Sequence, residues 1–166
     1  MLAVLAALAV PTALAALGVP AVLPRTRRMR DAGLVHTTNY IDTLITVAPG
    51  TRATEATSPP SGKGTVAERQ FALLHGHDYE LTSDDVIFTV HCDRQGVPPQ
   101  ARDAERERFF GKGQPCLRTS PLAKTYGWGI HSDARGRIAL VAVGSPRYAE
   151  LLADASTTIR PAMRSR

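Results

Sequence analysis

The chain's 166 residues, 43% hydrophobic and 21% charged, suffice for one globular domain with a real core. Its net charge of +5 sits in the ends. Residues 1–35 hold four arginines and one aspartate, residues 155–166 hold three arginines, and the body between them has 13 cations against 14 acids. A near-neutral body excludes a basic nucleic-acid platform and leaves only a weak phosphate contact through the C-terminal tail.

Residues 1–24 are uncharged and apolar, the pattern of a membrane anchor or a signal peptide. No positive charge precedes the run, while Arg25, Arg27, Arg28 and Arg30 follow it, and Pro11, Pro20 and Pro24 interrupt any helix. The favoured reading is a translation start at Val35, with residues 1–34 an extension outside the native fold. That reading places the protein in the cytoplasm with no membrane contact; the alternative is an anchor formed by residues 1–24.

From Tyr40 to Val47 the β-branched pattern predicts a strand, and the Pro/Gly/Ser/Thr-rich stretch 48–64 a loop. Thr65–Leu74 reads as a helix capped by Thr65, with Glu68 three residues on. His75–Asp78 is a turn. Ser83-Asp84-Asp85 leads into Val86–Val90, read as a short buried strand. Pro98–Phe110 is a helix begun by two prolines and stopped by Gly111, with Glu105 paired to Arg108 and the Phe109-Phe110 pair anchored in the core. Trp128–His131 and Arg137–Val143 form a hairpin about the turn 133–136, and Ser145–Ala155 is a final helix with Tyr148, Leu151 and Leu152 inward. The order β-α-β-α-β-β-α implies an α+β fold, a single domain over 36–155 with helices packed on a mainly antiparallel sheet, and a basic tail over 156–166.

The richest segment is Gly111–His131, GKGQPCLRTSPLAKTYGWGIH. Its four glycines and two prolines set a thiol, three cations, two aromatics and a histidine on turns and short extended pieces. Lys112, Arg118 and Lys124, with backbone amides of neighbouring glycines, suit a phosphate or carboxylate. GKGQPC lacks the P-loop spacing. Tyr126 and Trp128, two apart, suit stacking on a planar ligand; for Trp128 the flanking Gly127 and Gly129 point instead to close backbone approach and core packing. Cys116 is a candidate nucleophile with His131 or His36 as base, or else a small buried hydrophobe.

His75-Gly76-His77-Asp78 lacks an obvious third metal ligand, so no metal site is assigned. Asp84 and Asp85 are adjacent, which on a strand would aim them at opposite faces and exclude a shared-proton dyad. The two cysteines, 24 residues apart, form no CxxC or zinc pattern; a disulfide fits their number, and two thiols in a reducing cytoplasm is the simpler reading. No cofactor motif is present.

HTTNYIDT (36–43), TSDDVIF (82–88), FFGKGQPCLRTSPLAKTYGWGIH (109–131), RIAL (137–140) and AMRSR (162–166) together resemble a family of short bacterial proteins known only as a domain of unknown function. The resemblance implies a compact intracellular protein and no particular activity. Three functions follow from the residues. The first is binding of a small anionic or nucleotide-like ligand by Lys112, Arg118, Lys124, Tyr126 and Trp128. The second is an enzyme using Cys116 with His131. The third is a structural or protein-interaction domain.

Overall fold

The computed structural model describes residues 36–164. The N-terminal extension, the Val35 start and the last two residues of the tail lie outside the described residues. Four strands form one sheet in the order β3-β2-β1-β4: β1 (Thr43–Thr46), β2 (Trp128–Ser132), β3 (Ile138–Ala142) and β4 (Thr158–Pro161). The β1–β2 and β2–β3 pairs are antiparallel and β1–β4 is parallel. The helices are α1 (Val66–Leu74), α2 (Ser83–Gln95), α3 (Arg102–Phe110), the short α4 (Pro121–Thr125) and α5 (Pro146–Ala153). The fold is α+β.

Strand alternation divides the core. Ile45, Ile130 and Ile138 face one side, where they meet Leu74 of α1, Val86 of α2, Ala123 of α4 and Leu117. Leu44 and Val141 face the other, against Tyr148 and Leu151 of α5. Leu152, expected inward, is exposed: Tyr148 and Leu151, three apart, already fill the buried stripe of this two-turn helix.

Three elements differ from the sequence reading. The short helix α4 carries Lys124 in place of the expected turns and extended pieces: Ser120 caps it and Pro121 begins it. The run Val86–Val90 is the middle of helix α2, not a strand. Thr82 and Asp85 form a reciprocal capping box, and Gly96 closes the helix in the left-handed conformation at φ 65°. The helix is buried on two sides, with Val86 in the sheet-facing core and Phe88 and Cys92 packed with Phe110 in a second cluster. Burial on two sides erases the one-sided stripe that marks a surface helix, leaving a β-branched run that resembles a strand. In addition, residues 156–166, read as a tail, include β4, which pairs with β1 from Thr158 to Pro161.

One carboxylate ties the first described residues to this frame. Asp84, in the first turn of α2, accepts from Thr37 Oγ1 at 2.7 Å, Thr38 N at 2.8 Å, Thr38 Oγ1 at 2.7 Å and Asn39 Nδ2 at 3.2 Å. Its own N–H donates to Asn39 Oδ1 at 3.0 Å. The neighbouring Asp85 points elsewhere: Arg106 donates to it at 3.0 Å, and Thr82 and Arg106 hold its pKa below the usual carboxylate range against the effect of burial. Asp84 and Asp85 thus do separate structural jobs.

Two glycines permit close approach, as their places beside Trp128 suggest. Gly127 has φ +73°, and a Cβ there would lie 2.3 Å from Glu55 O. A Cβ on Gly129 would lie 2.7 Å from the Tyr148 ring, so the bare strand surface seats that ring.

Asp84→Ala leaves four donors without their acceptor and lowers stability by about 3 kcal/mol, whereas Asp85→Ala, losing a cap and an exposed ion pair, costs about 1 kcal/mol. Urea denaturation measures both; equal losses would refute the hub role of Asp84. Gly127→Ala combines positive φ with a backbone collision and destabilises by about 2 kcal/mol or more, against less than about 1 kcal/mol at Gly113, where a Cβ meets open space.

Candidate functional site

The segment Gly111–His131 does not close around one ligand. Its groups are distributed to different places by the elements that carry them. Lys112 is exposed just after α3. Arg118, in the 3-10 turn Leu117–Thr119, donates from Nε to the Pro161 carbonyl at 2.8 Å and so braces the end of β4. It pairs with neither Asp84 nor Asp85. Trp128 Nε1 donates to Thr57 O at 2.9 Å, and its ring packs 5.6 Å from Phe71 and 5.8 Å from His75. Tyr126 caps α4, and its carbonyl accepts from Thr57 N. These two aromatics, with Gly127 between them, fasten the 54–57 loop to the sheet.

Cys116 and His131 are not brought together. His131 pairs in register with Leu44 on the α5 face of the sheet, while Leu117, next to Cys116, packs on the opposite face with Ile45 and Ile130. The His131 Nδ1 hydrogen-bonds the Tyr79 hydroxyl at 2.8 Å. Tyr79 holds that position with a left-handed backbone, φ 59°. Burial, then the charge of Arg147, pushes the His131 pKa down, opposed by Asp133, Asp42 and Asp154. The Cys116 Sγ accepts from the Tyr40 hydroxyl at 3.4 Å. That hydrogen bond, then burial, raises the Tyr40 pKa, against the influence of Arg118, so Tyr40 stays a protonated donor and not a base. His36, the other expected base, is placed by its backbone N–H on Phe110 O. The histidine that does share a cavity with Cys116 is His91 of α2, whose Nε2 contacts Glu105 at 2.8 Å. Cys92 is fully buried, and both cysteines are free thiols.

Lys124 lies elsewhere, in a cleft of about 300 Å³ formed by the turn after β1, the end of α4 and the chain's C-terminal stretch. Arg52 and Arg164 share this cleft, and among the described residues no carboxylate lines it. None of these three cations makes an ion pair among the described residues. The turn is fixed by Thr51 N donating to Ala48 O at 3.0 Å, with Gly50 at φ 81°. Ala48 N donates to Ala123 O at 2.9 Å, and this bond ties the turn to α4. The N–H groups of Gly50 and Arg52 have no protein acceptor among the described residues. Of the expected ligand-binding residues only Lys124 is here. Arg52 and Arg164 were missed because they lie 72 and 40 positions from Lys124 and meet it only when β1 and β4 pair side by side.

Among the described residues no three His, Cys, Asp or Glu side chains converge as a metal site requires. Among the same residues no helix is long and apolar enough to cross a membrane.

The unfolded chain protonates His131 near the ordinary histidine pKa of about 6.5, and the folded protein only at lower pH. The stability held by neutral His131 is therefore complete well above pH 6.5, the ordinary histidine value, and declines as pH falls below it. Thermal melts should show this loss in the wild type and a flatter profile in His131→Gln; parallel profiles would exclude it.

No curated protein and no solved structure matches this chain. A family profile does match, over residues 35–166, which is most of the chain and includes the whole described fold, the cleft and the Cys116 cavity. The chain belongs to that family, DUF6157, a family of unknown function.

Proposed function

We propose that this protein binds a small molecule bearing a phosphate or carboxylate group in the cleft of Arg52, Lys124 and Arg164. The observation that carries the proposal is the convergence of three cations on one cleft with no acid lining it among the described residues. Like charges gathered without a counter-charge repel, and an anion relieves that repulsion. Two guanidinium groups supply planar donor forks and a lysine supplies a point charge, a combination suited to oxyanions. The unpaired amides of the Pro49–Gly50 turn supply neutral donors of the kind that line anion nests. Among the described residues no aromatic ring lines the cleft, so the reading is for the anion and not for a stacked base. The two free thiols suit a reducing bacterial cytoplasm as the working compartment.

Inorganic phosphate is the first probe, with chloride at matched ionic strength as the control. Phosphate should raise the melting temperature saturably, by the equivalent of about 2.7 kcal/mol at 100 times its dissociation constant. Lys124→Gln and Arg164→Gln should each weaken binding by about tenfold in calorimetry, and Arg52→Ala likewise. Arg135→Ala, on the exposed turn between β2 and β3, should leave phosphate affinity unchanged. A phosphate response that survives the triple cleft substitution, or that vanishes with Arg135→Ala alone, would refute the assignment.

A further inference from the structure

A second cavity, of about 260 Å³, opens between α1, α2 and the loop 114–119. It is built by helical spacing. Val66 and Gln70 are four apart on α1, and Ile87, Val90, His91 and Arg94 recur at three- and four-residue intervals along α2. Phe109 and Leu117 add to the apolar wall, and the Cys116 thiol lies on the loop side.

The polar groups of this cavity are not all used by the fold. Gln70 is 6% exposed, and its Oε1 accepts from Ser120 Oγ at 2.6 Å. Its side-chain amide nitrogen, in contrast, has no acceptor among the described residues, although Gln70 lines the cavity. Only Arg102 Nε and Arg137 Nε are fully enclosed without a hydrogen-bond partner among the described residues, so the Gln70 nitrogen opens on the cavity, where water or a ligand oxygen accepts from it. Arg94 lines the same cavity, is exposed, and forms no ion pair among the described residues. His91 is already turned to Glu105. The lining therefore offers one inner neutral donor, one outer cation and an apolar wall between them, the usual make-up of a small-molecule pocket.

We propose that this cavity is a second binding site, for a small organic acid with an apolar body. An oxygen of the ligand accepts from the Gln70 amide inside, its negative charge lies toward Arg94, and its apolar body packs on Ile87, Val90 and Phe109 in place of water. At about 260 Å³ the occupant is smaller than a typical drug-sized ligand. Cys116 is a wall group whose accessibility reports occupancy. This site does not depend on the cationic cleft, with which it shares no lining residue.

The test uses 3-phenylpropionate and hexanoate as probes, with the neutral 3-phenylpropanol as the uncharged control. Two readouts are followed: the Gln70 side-chain amide signals in proton–nitrogen NMR spectra, and the rate at which iodoacetamide alkylates Cys116. Buried Cys92 is the internal reference in the same mass spectrum. The expected result is a saturable shift of the Gln70 amide and slower alkylation of Cys116. Affinity should fall by about tenfold in Arg94→Ala and again in the near-isosteric Gln70→Met, while Lys124→Gln leaves it unchanged. Arg94 is exposed, so its removal does not threaten folding, and a melting curve checks Gln70→Met. No shift and no protection at probe concentrations up to about 10 mM would overturn the proposal. Binding that ignores both Arg94→Ala and Gln70→Met, or that responds to Arg94→Ala but not to Gln70→Met, would also overturn it.

Discussion

The side chains and backbone of Thr37, Thr38 and Asn39 converge on Asp84, more than forty positions further along the chain. Four donors meet one carboxylate in the first turn of α2, where the helix dipole also favours negative charge. Thr38 and Asp84 are both buried, so the charge is compensated by hydrogen bonds and not by water. Much of the remaining structure follows from this clasp. It lays residues 36–39 along α2, and Tyr40, the next residue, reaches the Cys116 thiol. Asp42 then turns the chain at φ 42°, and β1 enters the sheet between β2 and β4.

Because β1 is central, it connects both candidate sites. Its far end runs into the Ala48–Ala53 turn, held on α4 and open to Arg164 just beyond β4. Its apolar face supports Leu117, whose neighbours Cys116 and Thr119 form one wall of the second cavity. The cleft gathers three cations and, among the described residues, no acid, whereas the cavity sets one cation, Arg94, and the Gln70 amide beside apolar side chains. That contrast in chemistry separates the two ligand classes assigned to them.

Much of the fold was legible because its signals are local. Thr65 caps α1 by accepting from Glu68 N, Glu105 pairs with Arg108, and the turn at 133–136 joins β2 to β3. Phe110 at the end of α3 is buried as its apolar character requires. The helix α2 is hidden in the sequence because its burial on two sides removes the periodicity, and its local signal is the capping box of Thr82 and Asp85. Strand β4 was missed for a different reason. Its residues are exposed on a sheet edge, so they show no burial pattern, and only pairing with β1 makes Thr158–Pro161 a strand.

For the candidate sites the division is sharper. The sequence by itself determined the α+β class, the glycines that admit close backbone contact, the near-neutral body and the family resemblance. It also singled out Lys124 as a candidate for anion binding and Cys116 as a group of interest, since those depend on residue type and near neighbours. Only the tertiary structure decided which groups meet. Arg118 went to a carbonyl, Trp128 to a loop, and His131 to the face of the sheet away from Cys116. Arg52 and Arg164 came to Lys124, and Gln70 and Arg94 to the thiol's cavity. The physical reason is that strand pairing and helix packing bring together residues tens of positions apart, and no local spacing in the chain encodes such a meeting.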